Sequence, residues 1–124
     1  GVIQTLPADR FRVLPSMRFT HFSELLKNAA LIIGNSSVGV REAPFLGIPS
    51  IDVGTRQTNR SRAPSISSLD AHDTQSLSHL IDRHWGVRFA PDTGFGHGRS
   101  VDKFLSVIER NSFWNLPLQK NFSE

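Results

Sequence analysis

The stretch "ALIIGNSSVGVREAPFLGIPSIDVG", Ala30 to Gly54, decides the fold. "ALII", Ala30 to Ile33, is a short unbroken apolar run, the pattern of a strand buried on both faces of a parallel sheet. It stops at Gly34, and Asn35, Ser36 and Ser37 follow. A helix is expected from about Ser37 to near Gly47, with Pro44 limiting its regularity. "IPSIDVG" then reads as a second buried strand, Ile48 to Val53, leading into a polar loop that runs to about Pro64. A strand, a helix and a second strand in this order indicate an α/β architecture with a parallel sheet.

Working outward, "THFSELLKNA" places Phe22, Leu25, Leu26 and Ala29 at helical spacing, with Thr20 as its expected cap. Upstream, a loop from Ile3 runs into an expected strand at Phe11 to Leu14. Downstream, Asp70 or Asp73 can cap a helix whose apolar face is Leu77, Leu80 and Ile81. Val87 to Phe89 is expected to form another short strand. Ser100 is expected to cap a last helix carrying Val101, Phe104, Leu105 and Ile108 on one face. The tail from Phe113 to Phe122, with Trp114, Leu116 and Leu118 between, is apolar and needs a cover. The chain opens on Gly-Val without a methionine, so it is expected to be part of a longer polypeptide.

Composition narrows the function classes. The 124 residues are 20% charged and 38% hydrophobic, a globular balance. There is no cysteine, which removes a disulfide framework and thiolate metal sites and fits a reducing cytoplasm. No apolar run reaches the length of a membrane span, and no signal-peptide pattern opens the chain. A formal net charge of +3 gives little to nucleic-acid binding. The richest basic stretch holds Arg56, Arg60 and Arg62 without interleaved aromatics, which suits a compact anion such as a phosphate better than a long polyanion.

The turn after the first strand lies where open α/β sheets bind ligands, outside the carboxyl ends of the strands. Free N–H groups and the dipole at a helix start favour an anion there, and Gly34 and Gly39 permit close backbone approach. Ser36 and Ser37 add hydroxyl donors. Glu42, one to two turns into the expected helix, can accept hydrogen bonds from a ribose diol. Phosphate at the tip and a sugar diol beside it imply a nucleotide. The same residues also fit ordinary chemistry: Asn-Ser-Ser as a helix cap, Arg41 and Glu42 as a solvated pair, and the arginines as a solvated loop.

The run "GNSSVGVREAPFLGIPSIDVGTRQTNR", Gly34 to Arg60, resembles the nucleotide-binding signature of UDP-N-acetylglucosamine 2-epimerases. The nearer likeness is to the hydrolysing branch, which makes N-acetylmannosamine for sialic-acid synthesis. The likeness is dense from Thr20 to Arg62 and recurs weakly at "FGHGRSVDKFL". It implies a Rossmann-like parallel sheet with flanking helices, part of the C-terminal domain of a GT-B-type two-domain enzyme. Residues 1–112 would be the UDP-binding domain, incomplete at its N-terminal side, and residues 113–124 a tail packing on the missing N-terminal domain or a partner.

For the site, the resemblance implies that Ser36 and Ser37 hold the diphosphate and Glu42 the ribose hydroxyls. Arg56 would contact the nucleotide and Phe22 would lie near the uracil, though Phe22 also reads as a core residue of an amphipathic helix. Gly34, Asn35, Gly39 and Arg60 would border the site. The chain departs from the family at Gly96, His97 and Gly98, where glycine-aspartate-glycine is common, and His97 reads as a surface histidine. The acid/base carboxylates of the family lie mainly in the other domain, so no catalytic residue is assigned here. The implied partners are UDP, a UDP-sugar substrate, the missing N-terminal domain and further copies in a homo-oligomer. Neither cofactor, metal, nucleic acid nor membrane is expected.

Overall fold

A computed structural model describes residues 5–115 of the chain. These fall into two compact units divided after Asp92. The first carries helix α1 (Phe19–Lys27), strand β1 (Ile32–Gly34), a 3-10 turn (Ser37–Gly39), helix α2 (Glu42–Phe45), strands β2 (Ser50–Val53) and β3 (Ile66–Leu69), and helix α3 (Thr74–His84). The second carries helices α4 (Ser100–Ile108) and α5 (Asn111–Trp114). No helix among the described residues is long and apolar enough to cross a membrane.

The sheet has three strands in the order β1-β2-β3, all parallel. Ile33 pairs with Ile51, and Ile51 with Ser67, so β2 is the central strand. That position explains its composition: Ser50, Ile51 and Asp52 are buried, and Ile51 is 0% exposed. Leu26 of α1, Ala43 of α2 and Ile48 before β2 form the core, with Phe22, Ile32, Val38 and Leu46 packed on it. The expected α/β class, with helices flanking a parallel sheet, is the observed one.

The expected helix after β1 is broken in two. Proline lacks an N–H and its ring clashes with the carbonyl four residues back, so a helix cannot run through it from far upstream. Here Pro44 sits in the first turn of a fresh helix, α2, where its N–H is not needed. Gly47 ends α2 with φ +68°. Its N–H donates to the Pro44 carbonyl at 3.0 Å and the Ile48 N–H to the Ala43 carbonyl at 2.9 Å, a left-handed glycine cap. A Cβ at Gly47 would run into the backbone carbonyl of Phe89.

Several local expectations need correction. Phe11 to Leu14 is irregular, with all four residues exposed and no neighbouring strand to pair with. Val87 to Phe89 is likewise no strand; the Phe89 N–H donates to the Gly47 carbonyl at 3.0 Å, a single contact that does not extend into a ladder. Thr20 lies inside α1, whose cap position is Arg18, and Ser100 is the first residue of α4, capped at Arg99. Between the two aspartates, Asp73 is the cap of α3, accepting the Ser76 N–H at 3.0 Å. Asp70 instead accepts from the His72 N–H at 2.9 Å. β3 was not expected at all, because "ISSL" carries two serines in four residues. The sheet accommodates one of them through a hydrogen bond of 3.0 Å between Ser67 Oγ and the buried His84 at the end of α3.

In the second unit, α4 has its apolar residues at helical spacing but buries none of them; Phe104 is 62% exposed. Phe113 and Trp114 stack edge to face, with centroids 5.1 Å apart. The rest of the expected apolar tail, Leu116 to Phe122, lies outside the described residues, as does Ile3 at the start of the expected first loop.

Candidate functional site

The carboxyl ends of β1 and β2 open into a cleft of about 570 Å³ lined by Gly34, Asn35, Val53, Gly54, Thr55, Arg56 and Ala71. It forms because the neighbouring parallel strands both deliver their loops to the same edge of the sheet. One wall continues β1 through Asn35 and Ser36 into the 3-10 turn. The other continues β2 through Gly54 into a loop folded by consecutive turns, with the Thr58 N–H on the Thr55 carbonyl at 3.2 Å and the Arg60 N–H on the Gln57 carbonyl at 3.1 Å.

Of the residues singled out in the sequence, Gly34, Asn35 and Arg56 line the cleft. Ser36 and Ser37 follow directly on that wall. Ser36 Oγ accepts from the Val38 N–H at 3.5 Å, a contact too long to hold the hydroxyl firmly. Because the turn has three residues and α2 four, few aligned peptides contribute to a dipole. An anion on this wall would depend on individual N–H and O–H donors, not on a long helix as the sequence suggested. Gly39 is buried against β2, and a Cβ there would lie 2.7 Å from Ser50 Oγ. A larger residue at that point would require the Ser50 hydroxyl to turn away.

Glu42 is the first residue of α2, half-buried, and its Oε2 is buried without a hydrogen-bond partner. An acceptor left so costs about 1–3 kcal/mol, which a hydroxyl donor would relieve. Phe22, Glu42 and Arg60 are not among the cleft's lining residues. Phe22 packs on the core, and Arg60 is exposed on the loop beyond it. His97 is exposed in the second unit.

With this geometry in place, the comparisons decide the family: residues 2–109 match UDP-N-acetylglucosamine 2-epimerase. The chain belongs to that family. It is 42% identical over 119 residues to the UDP-N-acetylglucosamine 2-epimerase of Neisseria meningitidis serogroup B, covering 93% of this chain and 31% of that enzyme. It is 28% identical over 103 residues to the polysialic acid biosynthesis protein P7 of Escherichia coli, 83% of this chain and 22% of that protein. Over 52 residues it is 40% identical to the hydrolysing GDP/UDP-N,N'-diacetylbacillosamine 2-epimerase of Campylobacter jejuni, 42% of this chain and 14% of that enzyme. The chain thus spans less than a third of the length of these relatives.

Two buried polar residues of this epimerase domain escaped the sequence reading. Gln57 donates from Nε2 to the Asn35 carbonyl at 2.9 Å and so bridges the two walls. Asp52, on β2 opposite Gly34 and Ser68, is 4% exposed and its Oδ1 has no hydrogen-bond partner. Burial pushes its carboxyl above the ordinary value of 3.8. Within an apolar-looking run a single aspartate gives no sign of whether it will be paired.

Proposed function

We propose that this chain is the UDP-binding portion of a hydrolysing UDP-N-acetylglucosamine 2-epimerase, which converts UDP-N-acetylglucosamine and water to N-acetylmannosamine and UDP. The observation that carries this is the cleft between the β1 and β2 loops, lined by Gly34 and Asn35 on one side and by Thr55 and Arg56 on the other, with Ser36 and Ser37 next along the chain from the first side. That pairing suits a diphosphate, since a guanidinium fork and converging donors both favour phosphate oxygens. Ser36 and Ser37 bind the diphosphate, Glu42 accepts from the ribose hydroxyls through its unpartnered oxygen, and Phe22 stands near the uracil from the core side. Gly34, Asn35 and Gly39 shape the near wall, and Arg60 lends further positive charge. The hydrolysing branch is supported by the hydrolysing relative in Campylobacter and by the relative named for polysialic acid biosynthesis.

In the reaction the C2 proton is removed, the C1–O bond breaks and UDP departs with the bonding electrons, giving a glycal. Water then adds its hydroxyl to C1 and a proton returns to C2 from the opposite face. The residues here stabilise the negative charge that develops on the departing diphosphate. The base and acid come mainly from the other domain of the full-length enzyme. Incubating that enzyme with UDP-N-acetylglucosamine should release UDP and free N-acetylmannosamine in equal amounts. Accumulation of UDP-N-acetylmannosamine would instead assign the non-hydrolysing reaction, and transfer of the sugar to an acceptor a glycosyltransferase.

A further inference from the structure

The two walls of the cleft reach it from strands that are hydrogen-bonded to each other, but beyond the strand ends the loops must be held by side chains. Gln57 does this across 22 positions, through the 2.9 Å bond from Nε2 to the Asn35 carbonyl. Its side chain is turned inward: Gln57 is 4% exposed, whereas Arg56 and Thr58 on either side are exposed. The orientation of the amide follows from chemistry. A carbonyl can only accept, so the NH₂ end faces Asn35. Oε1 is then buried with no hydrogen-bond partner. An apolar side chain of similar length would fill the space without an orphaned acceptor, so what the amide contributes is the tie to Asn35. Thr55 and Arg56 line the cleft immediately before it, and the turns at Thr58 and Arg60 make the loop one folded piece, so a restraint at Gln57 reaches Arg56.

We infer that Gln57 is a positioning residue, which holds the Arg56 loop against Asn35 and so sets the separation between the guanidinium and the donors on the Ser36 wall. This rests on the reading of the cleft as the diphosphate site. A bidentate group gains from its fork only when the fork is presented at the right distance, and a misplacement of about 1 Å is enough to lose much of the benefit.

The test is calorimetric titration of the full-length enzyme with UDP, using wild type, Gln57→Met, Gln57→Asn, Arg56→Ala and the Arg56→Ala/Gln57→Met double variant. Gln57→Met should weaken UDP binding about tenfold, and Gln57→Asn, one methylene short of Asn35, should not restore it. In the Arg56→Ala background Gln57→Met should change UDP affinity by less than about twofold, because the group it positions is gone. Losses that multiply independently, or wild-type affinity in a folded Gln57→Met, overturn the positioning role while leaving the site reading intact. If the wild-type enzyme does not bind UDP, the site reading fails and this inference with it. Should the variants not fold, hydrogen exchange of the Gln57 side-chain amide in the wild type decides: UDP should slow it, and unchanged exchange overturns the role.

Discussion

β1 and β2 lie side by side, with Gly34 opposite Asp52, but the chain leaves them in different ways. β1 is an edge strand whose Ile33 is exposed, and its continuation turns back against the sheet, with Gly39 pressed on Ser50. β2 is central and buried, and its continuation stands out as a loop bearing exposed Arg56, Arg60 and Arg62. One wall of the cleft offers donors whose positions come from backbone geometry. The other offers a charge whose position comes from a side chain and whatever steadies it. Substitution should therefore act through folding on the first wall and through ligand affinity on the second.

The largest effect is expected where the backbone joining the first wall to β2 is forced. Gly47→Ala puts a Cβ at φ +68° into the Phe89 carbonyl, undoing the cap that ends α2. Urea denaturation should show a loss of about 2–4 kcal/mol. Unchanged stability would mean that the Phe89 segment moves aside freely.

On the second wall, Arg56→Ala in the full-length enzyme should lower UDP affinity by about 2–4 kcal/mol, with little change in melting temperature. Arg56→Lys should recover only part of this, since lysine keeps the charge and loses the planar fork. Full recovery by lysine would reduce the role of Arg56 to that of a point charge. Next in size, Glu42→Ala should weaken UDP by about 1.5–3 kcal/mol through loss of a charged acceptor. Alanine is the better helix former, so propensity does not confound the result. Equal UDP affinity in calorimetry would remove Glu42 from the site.

Asp52 sharpens the contrast from beneath the sheet edge. Its carboxyl is raised above 3.8 by burial, so the folded state holds the proton more tightly than the unfolded chain. Stability from this group is complete below that value and is lost as pH rises from it through the folded-state value. Asp52→Asn, which cannot ionise, should be more stable than wild type at neutral pH in urea denaturation, and the advantage should disappear in acid. A variant less stable than wild type at neutral pH would show that the charged carboxylate is stabilised after all. The smallest effect is expected for Ser36→Ala, about 0.5 kcal/mol in stability, because its capping contact is long at 3.5 Å. A larger drop in UDP affinity than in stability would show the hydroxyl acting on the ligand.

Local sequence made the parts that line the cleft legible to different degrees. Gly34, Asn35 and Arg56 were legible because a glycine-serine turn and an arginine each follow an apolar run, and a parallel sheet places both loops on one edge; of the two runs only β2 is buried, since β1 has no strand on its other side among the described residues. Gln57 was passed over, since an uncharged amide between an arginine and a threonine reads as surface. Nothing within the loop shows that it turns inward to a carbonyl 22 positions away. β3 was missed for a related reason: strand formation at Ile66–Leu69 depends on pairing with β2 and on His84 meeting Ser67, both distant in sequence.

By itself the sequence determined the α/β class, the parallel pairing of the first two strands and the family, and it narrowed the cap of α3 to Asp70 or Asp73, because each follows from residues within one short window or one contiguous motif. Tertiary structure alone decided that the helix after β1 divides at Val40 and Arg41, that Asp52 is buried with its Oδ1 unpartnered and that Gln57 joins the two walls. Those outcomes depend on which surfaces meet. Hydrophobic periodicity states that a face will be covered, but which polar atoms are covered with it, and whether each finds a partner, is settled only when the sheet edge and its loops close together.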